Sequence, residues 1–213
     1  MTPRRAYHHG DLRAALIDTA VGLIAEHGAR AFSLAEASRR LGVAPSAPYA
    51  HFSDRDELLA AVAVRVHELF HAEVLRELKG LRAPERRLAA IARAYVQFAG
   101  TRRRLFELLV EAGLDKSEHP ELKEAEQAIE ETFLGSVRAL PNVDEAAVKT
   151  LATAVEATAH GHALLLLDGS FDRDSDPVES AAERAARATL ALVESRRLLG
   201  RSSVAKRRRR SRA

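Results

Sequence analysis

The amino-acid sequence predicts an all-α protein, with an N-terminal three-helix helix-turn-helix domain followed by a larger helical domain and about eight to nine helices in total. Three observations support this. Apolar residues recur at spacings of three and four along most of the 213-residue chain. Capping residues and Gly or Pro breaks divide these stretches into helix-sized pieces. Between Phe32 and Phe52, two short helical stretches flank a turn that contains glycine, which is the pattern of a helix-turn-helix.

The first predicted helix spans residues 10–27 and ends at Gly28. Its apolar positions are Leu12, Leu16, Ala20, Leu23 and Ile24. We expect this stripe to form the core of the three-helix domain together with a second apolar set, Leu34, Leu41, Val43, Tyr49 and Phe52.

The helix-turn-helix begins at Ser33, whose side chain can accept a hydrogen bond from the backbone N–H of Glu36. The Glu36 carboxylate can reach back to complete a capping box. Gly42 supplies the positive φ that ends this helix. A second, very short helix follows, with Pro45 suited to its first turn and Pro48 close to its first true hydrogen bond.

The rest of the chain is predicted to form further helices separated by short breaks. Asp54 and Asp144 suit N-caps, while Pro84 and Pro177 suit helix starts. These helices cover residues 54–79, 84–110 with an interruption at residues 102–104, 121–140, 144–167 and 177–199.

The charge is unevenly distributed along the chain. Residues 1–55 hold seven Arg and five acidic residues, a net charge of +2. Residues 56–200 hold nineteen basic and twenty-five acidic residues, a net charge of −6, and residues 201–213 hold seven basic residues and no acidic one. The two ends are therefore suited to face phosphate, whereas the middle is not.

The absence of cysteine from the sequence excludes a disulfide framework and a thiolate metal site, which fits a reducing compartment. The first residues are polar and basic rather than apolar, and no apolar run approaches the length that spans a bilayer. We expect a soluble, cytoplasmic protein without a membrane partner.

Several motifs resemble the TetR family of transcriptional regulators. The resemblance rests on the helix-turn-helix up to the HF pair at residues 51–52, the run SDRDELL at residues 53–59, and the upstream motifs YHHGDLR at residues 7–13 and AEHG at residues 25–28. Further on, AHGH at residues 159–162 and LDGSF at residues 167–171 resemble a C-terminal domain of one branch that is named for a Trp-His-Gly motif. This chain has no Trp, and Glu156 stands about where that Trp is expected.

The resemblance implies a homodimeric regulator, most often a repressor, that binds a palindromic operator in double-stranded DNA and responds to a small apolar effector. It divides the chain into a basic arm at residues 1–9, a DNA-binding domain at residues 10–55, a helical ligand-binding and dimerisation domain at residues 56–200, and a basic tail at residues 201–213. No cofactor is expected.

The resemblance and the exposed positions together give the predicted DNA-binding residues: Ser33, Arg39, Arg40, Pro45, Ser46, Ala47, Tyr49, His51 and Arg55, with Arg4 and Arg5 in the arm. The resemblance assigns Tyr49, Ser33 and Arg55 to the phosphate backbone, although Tyr49 also suits the core. The solvent-facing candidates of the second short helix include none of the side chains that make bidentate contacts to guanine or adenine. We therefore predict limited direct base reading, with thymine methyl contacts, DNA shape or the arm contributing.

Two further sets lie in the helical domain. Aromatic and histidine side chains suit either a packed core or an effector site: Tyr95, Phe98, Phe106, Phe133 and His162. Small and apolar residues on the last two helices suit the pairing of two subunits: Val155, Ala159, Leu166, Ala181, Ala185, Ala188 and Leu192. His160 and His162 point in different directions on a helix, which argues against a shared metal.

Two other functions remain open as alternatives. The HELFH stretch from His67 to His71 matches the zinc peptidase motif H-E-x-x-H, with Glu68 as the general base. The extended motif would need Gly and His where Val74 and Glu77 stand, so we predict no metal site and no catalytic residue. A nonspecific nucleoid-binding protein that relies on the basic arm and the tail is the other alternative.

Overall fold

The computed structural model describes residues 9–111, 113–114 and 117–198. These residues form eight α-helices and no strand, which confirms the predicted all-α class. The α-helices are α1 (His9–His27), α2 (Leu34–Leu41), α3 (Arg55–Glu77), α4 (Pro84–Thr101), α5 (Arg103–Glu111), α6 (Pro120–Arg138), α7 (Glu145–Leu167) and α8 (Pro177–Glu194). Short 3₁₀ helices occupy Ala29–Ala31, Ala47–Ala50 and Ser195–Leu198. In this part of the chain, no helix is both long enough and apolar enough to cross a membrane.

The described residues group into two compact units. The first combines the residues up to Leu69 with Arg102–Glu126, and the second combines Phe70–Thr101 with the described residues from Gln127 onward. Helices α3 and α6 therefore each contribute residues to both units. The division at residue 55 between a DNA-binding and a ligand-binding domain stays a prediction.

The first unit is built around the apolar stripe of α1. Four predicted core residues of this helix are at most 2% exposed: Leu16, Ala20, Leu23 and Ile24. From the helix-turn-helix, Leu34, Ala37 and Phe52 are also buried. Because these side chains come from α1, from α2 and from the end of the helix-turn-helix, burying them together fixes the helix-turn-helix against α1.

Arg55 ties the start of α3 to the segment between α1 and α2. Its Nε donates to the carbonyl of Phe32 at 3.2 Å, and its Nη2 donates to the carbonyl of Ala29 at 2.6 Å. The predicted cap of α3 is also present, because Asp54 Oδ1 accepts from the Glu57 backbone N–H at 2.9 Å. These contacts pair two backbone carbonyls of the α1–α2 connection and one N–H of the first turn of α3, and such groups would be costly to leave unpaired.

The second unit contains α4, α7 and α8, which pack closely against one another. Gly100 marks their tightest approach, since a Cβ added there would lie 2.8 Å from Leu166 Cδ2 and 2.8 Å from Val178 Cγ2. Polar contacts join the same helices: Arg93 pairs with Glu179, as does the Gln97 side-chain amide at 3.0 Å. A buried cluster formed largely by residues of these three helices consists of Leu88, Val137, Leu140, Val148, Leu151, Ala152, Val155 and Val193.

This close packing corrects most of the predicted dimer surface. Five residues of that set are at most 8% exposed within the single chain: Val155, Ala159, Leu166, Ala181 and Ala185. Their small or apolar side chains serve the approach of α4, α7 and α8 inside one subunit, which leaves little of their surface for a second one. Only Ala188 and Leu192 of the predicted set are partly exposed.

Gly100→Ala should destabilise the protein. The added methyl group must displace Val178 and Leu166, and overpacking of this kind costs about 1–3 kcal/mol against a gain in helix propensity of about 0.5–1 kcal/mol. Gly135→Ala is the matched control, because nothing lies within 4 Å of its Cβ position and only the helix gain remains. Urea unfolding at fixed protein concentration should therefore show opposite signs for the two variants. A stabilised Gly100→Ala protein would contradict the close approach.

Arg55→Ala should lower the free energy of unfolding by about 1–3 kcal/mol, because it leaves the Ala29 and Phe32 carbonyls without their donor. Arg30→Ala, at an exposed position beside Ala29, should change it by less than about 0.5 kcal/mol. Thermal unfolding of both variants measures this difference. Equal stabilities would show that the Arg55 contacts are dispensable.

Candidate nucleic-acid interface

The first helix of the helix-turn-helix, α2, begins as predicted but with only half of the predicted cap. Ser33 Oγ accepts from the Glu36 backbone N–H at 3.2 Å. The predicted return contact is wrong, because the Glu36 carboxylate instead binds the Arg39 guanidinium through Nε at 3.0 Å and Nη2 at 2.5 Å. An ion pair one turn along the helix has thus replaced the second half of the capping box.

The turn after α2 is closed by glycine, as predicted. Gly42 has φ of 69° and ψ of 28°, and its N–H points back to the carbonyls of Ser38 and Arg39. The Val43 N–H also reaches the Ser38 carbonyl, at 3.1 Å. These contacts form a Schellman motif, which requires the left-handed conformation that glycine adopts without strain.

The segment that follows is the candidate recognition segment, defined here as residues 44–50. Its helical part is a 3₁₀ helix from Ala47 to Ala50 with Pro48 in its first turn. The placement of Pro45 in that first turn is therefore wrong, since Pro45 lies in the preceding turn. Pro48 is buried, and its carbonyl accepts from the N–H groups of His51 and Phe52 at 2.9 Å each.

The exposed side of the recognition segment is small and largely apolar. Ala44, Pro45, Ser46 and Ala50 are exposed, while Ala47 and His51 are partly exposed. Tyr49 is 61% exposed, so its predicted place in the core is wrong and its phenol is available to solvent. The predicted residues Pro45, Ser46, Ala47 and Tyr49 thus lie together on one accessible segment.

The cationic side chains next to this segment are held by the chain itself. Arg40 forms a bidentate pair with Glu26 of α1, at 2.9 Å and 2.7 Å. Arg39 is paired with Glu36, and the Arg55 guanidinium binds the carbonyls described above. None of the three predicted guanidinium groups is therefore positioned by the structure to reach a base edge unless its present contacts are exchanged.

These pairs also set the charge state of the interface. Hydrogen bonds from Arg40 and Arg39 hold the pKa values of Glu26 and Glu36, respectively, below the usual value of a glutamate. The backbone N–H of Glu57 likewise lowers the pKa of Asp54. Because the folded-state pKa values are lowered, the stability that these carboxylates contribute is present at neutral pH and is lost as the pH falls through those values.

Sequence reasoning missed two contributors. Glu26 fixes Arg40 across fourteen positions, and Arg13 lies over the Phe52 ring with its Cζ 5.2 Å from the ring centroid. Neither contact has a local sequence signal, since each joins residues that lie far apart in the chain. The predicted contacts of Arg4 and Arg5, and those of the tail at residues 206–212, lie outside the described residues.

The HELFH stretch shows ordinary side-chain contacts. His67 Nε2 lies 3.5 Å from a carboxylate oxygen of Glu126, and His71 Nε2 lies 2.9 Å from the hydroxyl oxygen of Thr132. Among the residues that the structure describes, no group of three His, Cys, Asp or Glu side chains could hold a metal ion. A zinc peptidase centre requires such a third ligand.

The predicted effector residues are divided between the two compact units. Tyr95 and Phe98 both contact the Phe70 ring, with centroid distances of 5.7 Å and 5.2 Å. Phe133 packs at the edge of the buried cluster of the second unit, whereas Phe106 belongs to the first unit.

The two histidines of α7, His160 and His162, make different contacts. Tyr95 Oη lies 2.9 Å from His160 Nδ1. His162 Nδ1 instead lies 2.8 Å from the Thr158 carbonyl of its own helix. His160 is therefore the histidine that contacts Tyr95.

Comparison with known families matches both parts of the chain. Residues 16–62 match the family described as bacterial regulatory proteins, tetR family, and residues 88–189 match the tetracyclin repressor-like C-terminal domain. The two matches together span well over half of the sequence. Neither match identifies the branch named for a Trp-His-Gly motif, so membership in that branch stays a prediction. No curated protein matches the sequence significantly.

Solved structures show the same fold. A Rhodococcus sp. RHA1 protein of unknown function is 29% identical, with a TM-score of 0.74 over 88% of this chain and 98% of that one. The TetR family regulator PfmR from Thermus thermophilus is 18% identical, with a TM-score of 0.58 over 83% and 97%. The transcriptional regulator FadR from Bacillus subtilis, solved in complex with stearoyl-CoA, is 16% identical, with a TM-score of 0.64 over 85% and 97%.

These matches point to a DNA-binding regulator rather than an enzyme, and they agree with the helix-turn-helix geometry built by α2, Gly42 and the recognition segment. The chain belongs to the TetR family of bacterial transcriptional regulators.

Proposed function

We propose that this protein is a homodimeric, ligand-responsive repressor that binds a palindromic operator through the recognition segment. The observation that carries the proposal is the exposed recognition segment, which buried Pro48 and Phe52 hold in place behind a Schellman turn. Residues 10–55 would form the DNA-binding domain and residues 56–200 the ligand-binding and dimerisation domain. Because its partner is chromosomal DNA, we place the protein in the cytoplasm.

Tyr49 is the residue that we propose for the phosphate backbone. Its phenol is exposed within the recognition segment, and a tyrosine hydroxyl donates well to a phosphate oxygen. Ser33 Oγ already accepts from Glu36 N–H, but its own hydroxyl hydrogen remains available to a phosphate. Arg55 is assigned instead to the support of the α1–α2 connection.

For the second subunit we propose the outward side of α7 in place of the buried residues. This side carries two exposed leucines, Leu164 at 44% and Leu165 at 48%, close to Gly161. Nothing lies within 4 Å of a Cβ placed at Gly161, which leaves room for a partner helix to approach. The partly exposed Ala188 and Leu192 of α8 would complete the surface. Two recognition segments could then meet successive major-groove faces roughly 34–36 Å apart.

We propose the cluster of Tyr95, His160 and Phe98 as the place where a small apolar effector acts. Burial raises the pKa of Tyr95 to about 12, with the Glu156 carboxylate acting in the same direction. The phenol therefore stays protonated and can donate to His160 Nδ1 or to a ligand oxygen. An effector that binds preferentially when the two DNA-binding domains are wrongly spaced for the operator would release the DNA. The shift in this equilibrium is no larger than the effector's difference in affinity for the two spacings.

Selection of binding sites from random duplexes, followed by footprinting on the DNA that flanks the gene, tests the proposal directly. A regulator should return a near-palindrome and retain its preference as salt is raised. A nonspecific nucleoid-binding protein would lose affinity for all sequences alike. A reporter under the footprinted promoter should then be repressed.

Tyr49→Phe should weaken operator binding by about tenfold or more, since a hydrogen bond to a charged group is worth about 1.5–3 kcal/mol. The loss should be similar for all duplex sequences, because phosphate contacts carry no base information. Tyr95→Phe is the matched control, which should leave effector-free DNA affinity unchanged. Titration with labelled duplexes gives both values. An unchanged Kd for Tyr49→Phe would exclude the phosphate contact.

Leu165→Glu should convert the protein from a dimer into a monomer, because a buried carboxylate without a partner is strongly unfavourable in an apolar interface. Sedimentation should then give the 23.3 kDa chain mass instead of twice that value. Leu75→Glu, at a leucine that is 51% exposed on α3, is the control and should stay dimeric. A dimeric Leu165→Glu protein would place the interface elsewhere.

A further inference from the structure

The 3₁₀ geometry of the recognition segment sorts its side chains onto different sides. In such a helix residues three apart eclipse one another, so Ala47 and Ala50 share one side, and Ser46 and Tyr49 share another. Buried Pro48 occupies the third side. One accessible side therefore presents methyl groups and the other presents hydroxyl groups.

The methyl side is extended by the residues that precede the helix. Ala44 and Pro45 are both exposed, and the Ala47 N–H bonds the Ala44 carbonyl at 2.9 Å, which holds this turn together. A hydrocarbon surface of this kind offers no donor or acceptor. A guanine or cytosine edge packed against it would lose water without gaining a hydrogen bond, whereas a thymine C5-methyl would be buried favourably.

The guanidinium groups of Arg39 and Arg40, at the end of α2, are engaged in bidentate pairs that occupy the geometry guanine would need. The Arg40 fork is matched to the Glu26 carboxylate through both terminal nitrogens. The Arg39 fork is matched to Glu36 through Nε and Nη2. For either of these arginines, reading the O6 and N7 atoms of guanine would require the fork to exchange a charged partner for a neutral one.

We propose that the recognition segment selects its operator through thymine C5-methyl groups, which pack on Ala47 with Pro45 and Ala44 beside it. The inference rests on the proposed function, since it assumes that this segment enters the major groove. It makes Ala47 a specificity-determining residue by virtue of its methyl group, and it assigns the hydroxyl side, with Tyr49, to the phosphate backbone.

The first experiment uses the operator obtained by binding-site selection with the full-length protein. Thymine is replaced by deoxyuridine at one position at a time, in one half-site or in both. Deoxyuridine pairs in the same way but lacks the C5-methyl. Loss of a methyl contact should weaken binding about fourfold in one half-site and about fifteenfold when both half-sites are changed. Deoxyuridine placed outside the footprint is the control and should have no effect.

The second experiment removes the protein partner of the methyl group. Because Ala47→Gly changes both subunits, it should weaken binding to the thymine operator about fifteenfold, and it should abolish the difference between the thymine and deoxyuridine operators at one position. Ala35→Gly, at an exposed alanine on α2, introduces the same backbone change and should preserve that difference. Thermal unfolding of both variants identifies any loss that comes from stability alone.

The outcomes separate this inference from the proposed function. A palindromic operator whose deoxyuridine form binds as tightly as its thymine form would overturn the methyl readout and leave the regulator intact. Required guanines whose preference disappears in Arg39→Ala or Arg40→Ala would overturn it as well. If selection returns no preferred sequence, both the inference and the proposed function fail.

Discussion

The burial of Pro48 and Phe52 is the constraint on which the interface depends. A four-residue 3₁₀ helix has too few hydrogen bonds to persist alone. It is retained because one of its sides is anchored in the core and because the Pro48 carbonyl receives two backbone donors. The remaining sides are then exposed in a fixed orientation. A short element can be rigid in this way when tertiary packing, rather than its own hydrogen bonds, determines its conformation.

Several charged side chains of the first unit bind other groups of the same unit, which limits their availability to a ligand. Glu26 and Glu36 hold Arg40 and Arg39 in defined positions, and Arg55 serves two carbonyl groups. The net charge of +2 in the first 55 residues therefore overstates the number of guanidinium groups that can bind phosphate without giving up a present contact. Exposed pairs of this kind contribute little to stability, and their main effect is to fix side-chain direction.

Sequence alone predicted the features that depend on neighbouring residues. The caps at Ser33, Asp54 and Asp144 each join a side chain to a backbone N–H three residues later, and Gly42 meets a local need for positive φ. Such signals lie within one turn of chain, so they are visible without a structure.

The errors come from competition between contacts at different distances. Glu36 had two partners within reach and bound Arg39, while the Arg40 pair with Glu26 joins separate helices. Small residues such as Ala181 and Ala185 indicate close helix packing, but a sequence pattern does not distinguish packing within a subunit from packing between subunits. Their burial settled that question only when α4, α7 and α8 were seen together.

The first compact unit is discontinuous in the chain, and this affects how such a protein can be recombined. Helix α5 belongs to that unit and buries Leu105, Phe106 and Leu108, yet it follows α4, which belongs to the other unit. A graft that transfers only the N-terminal residues onto another regulator would leave part of this core behind. To keep this core intact, a chimaera must exchange both stretches of sequence together, because a single crossover would separate α5 from α1.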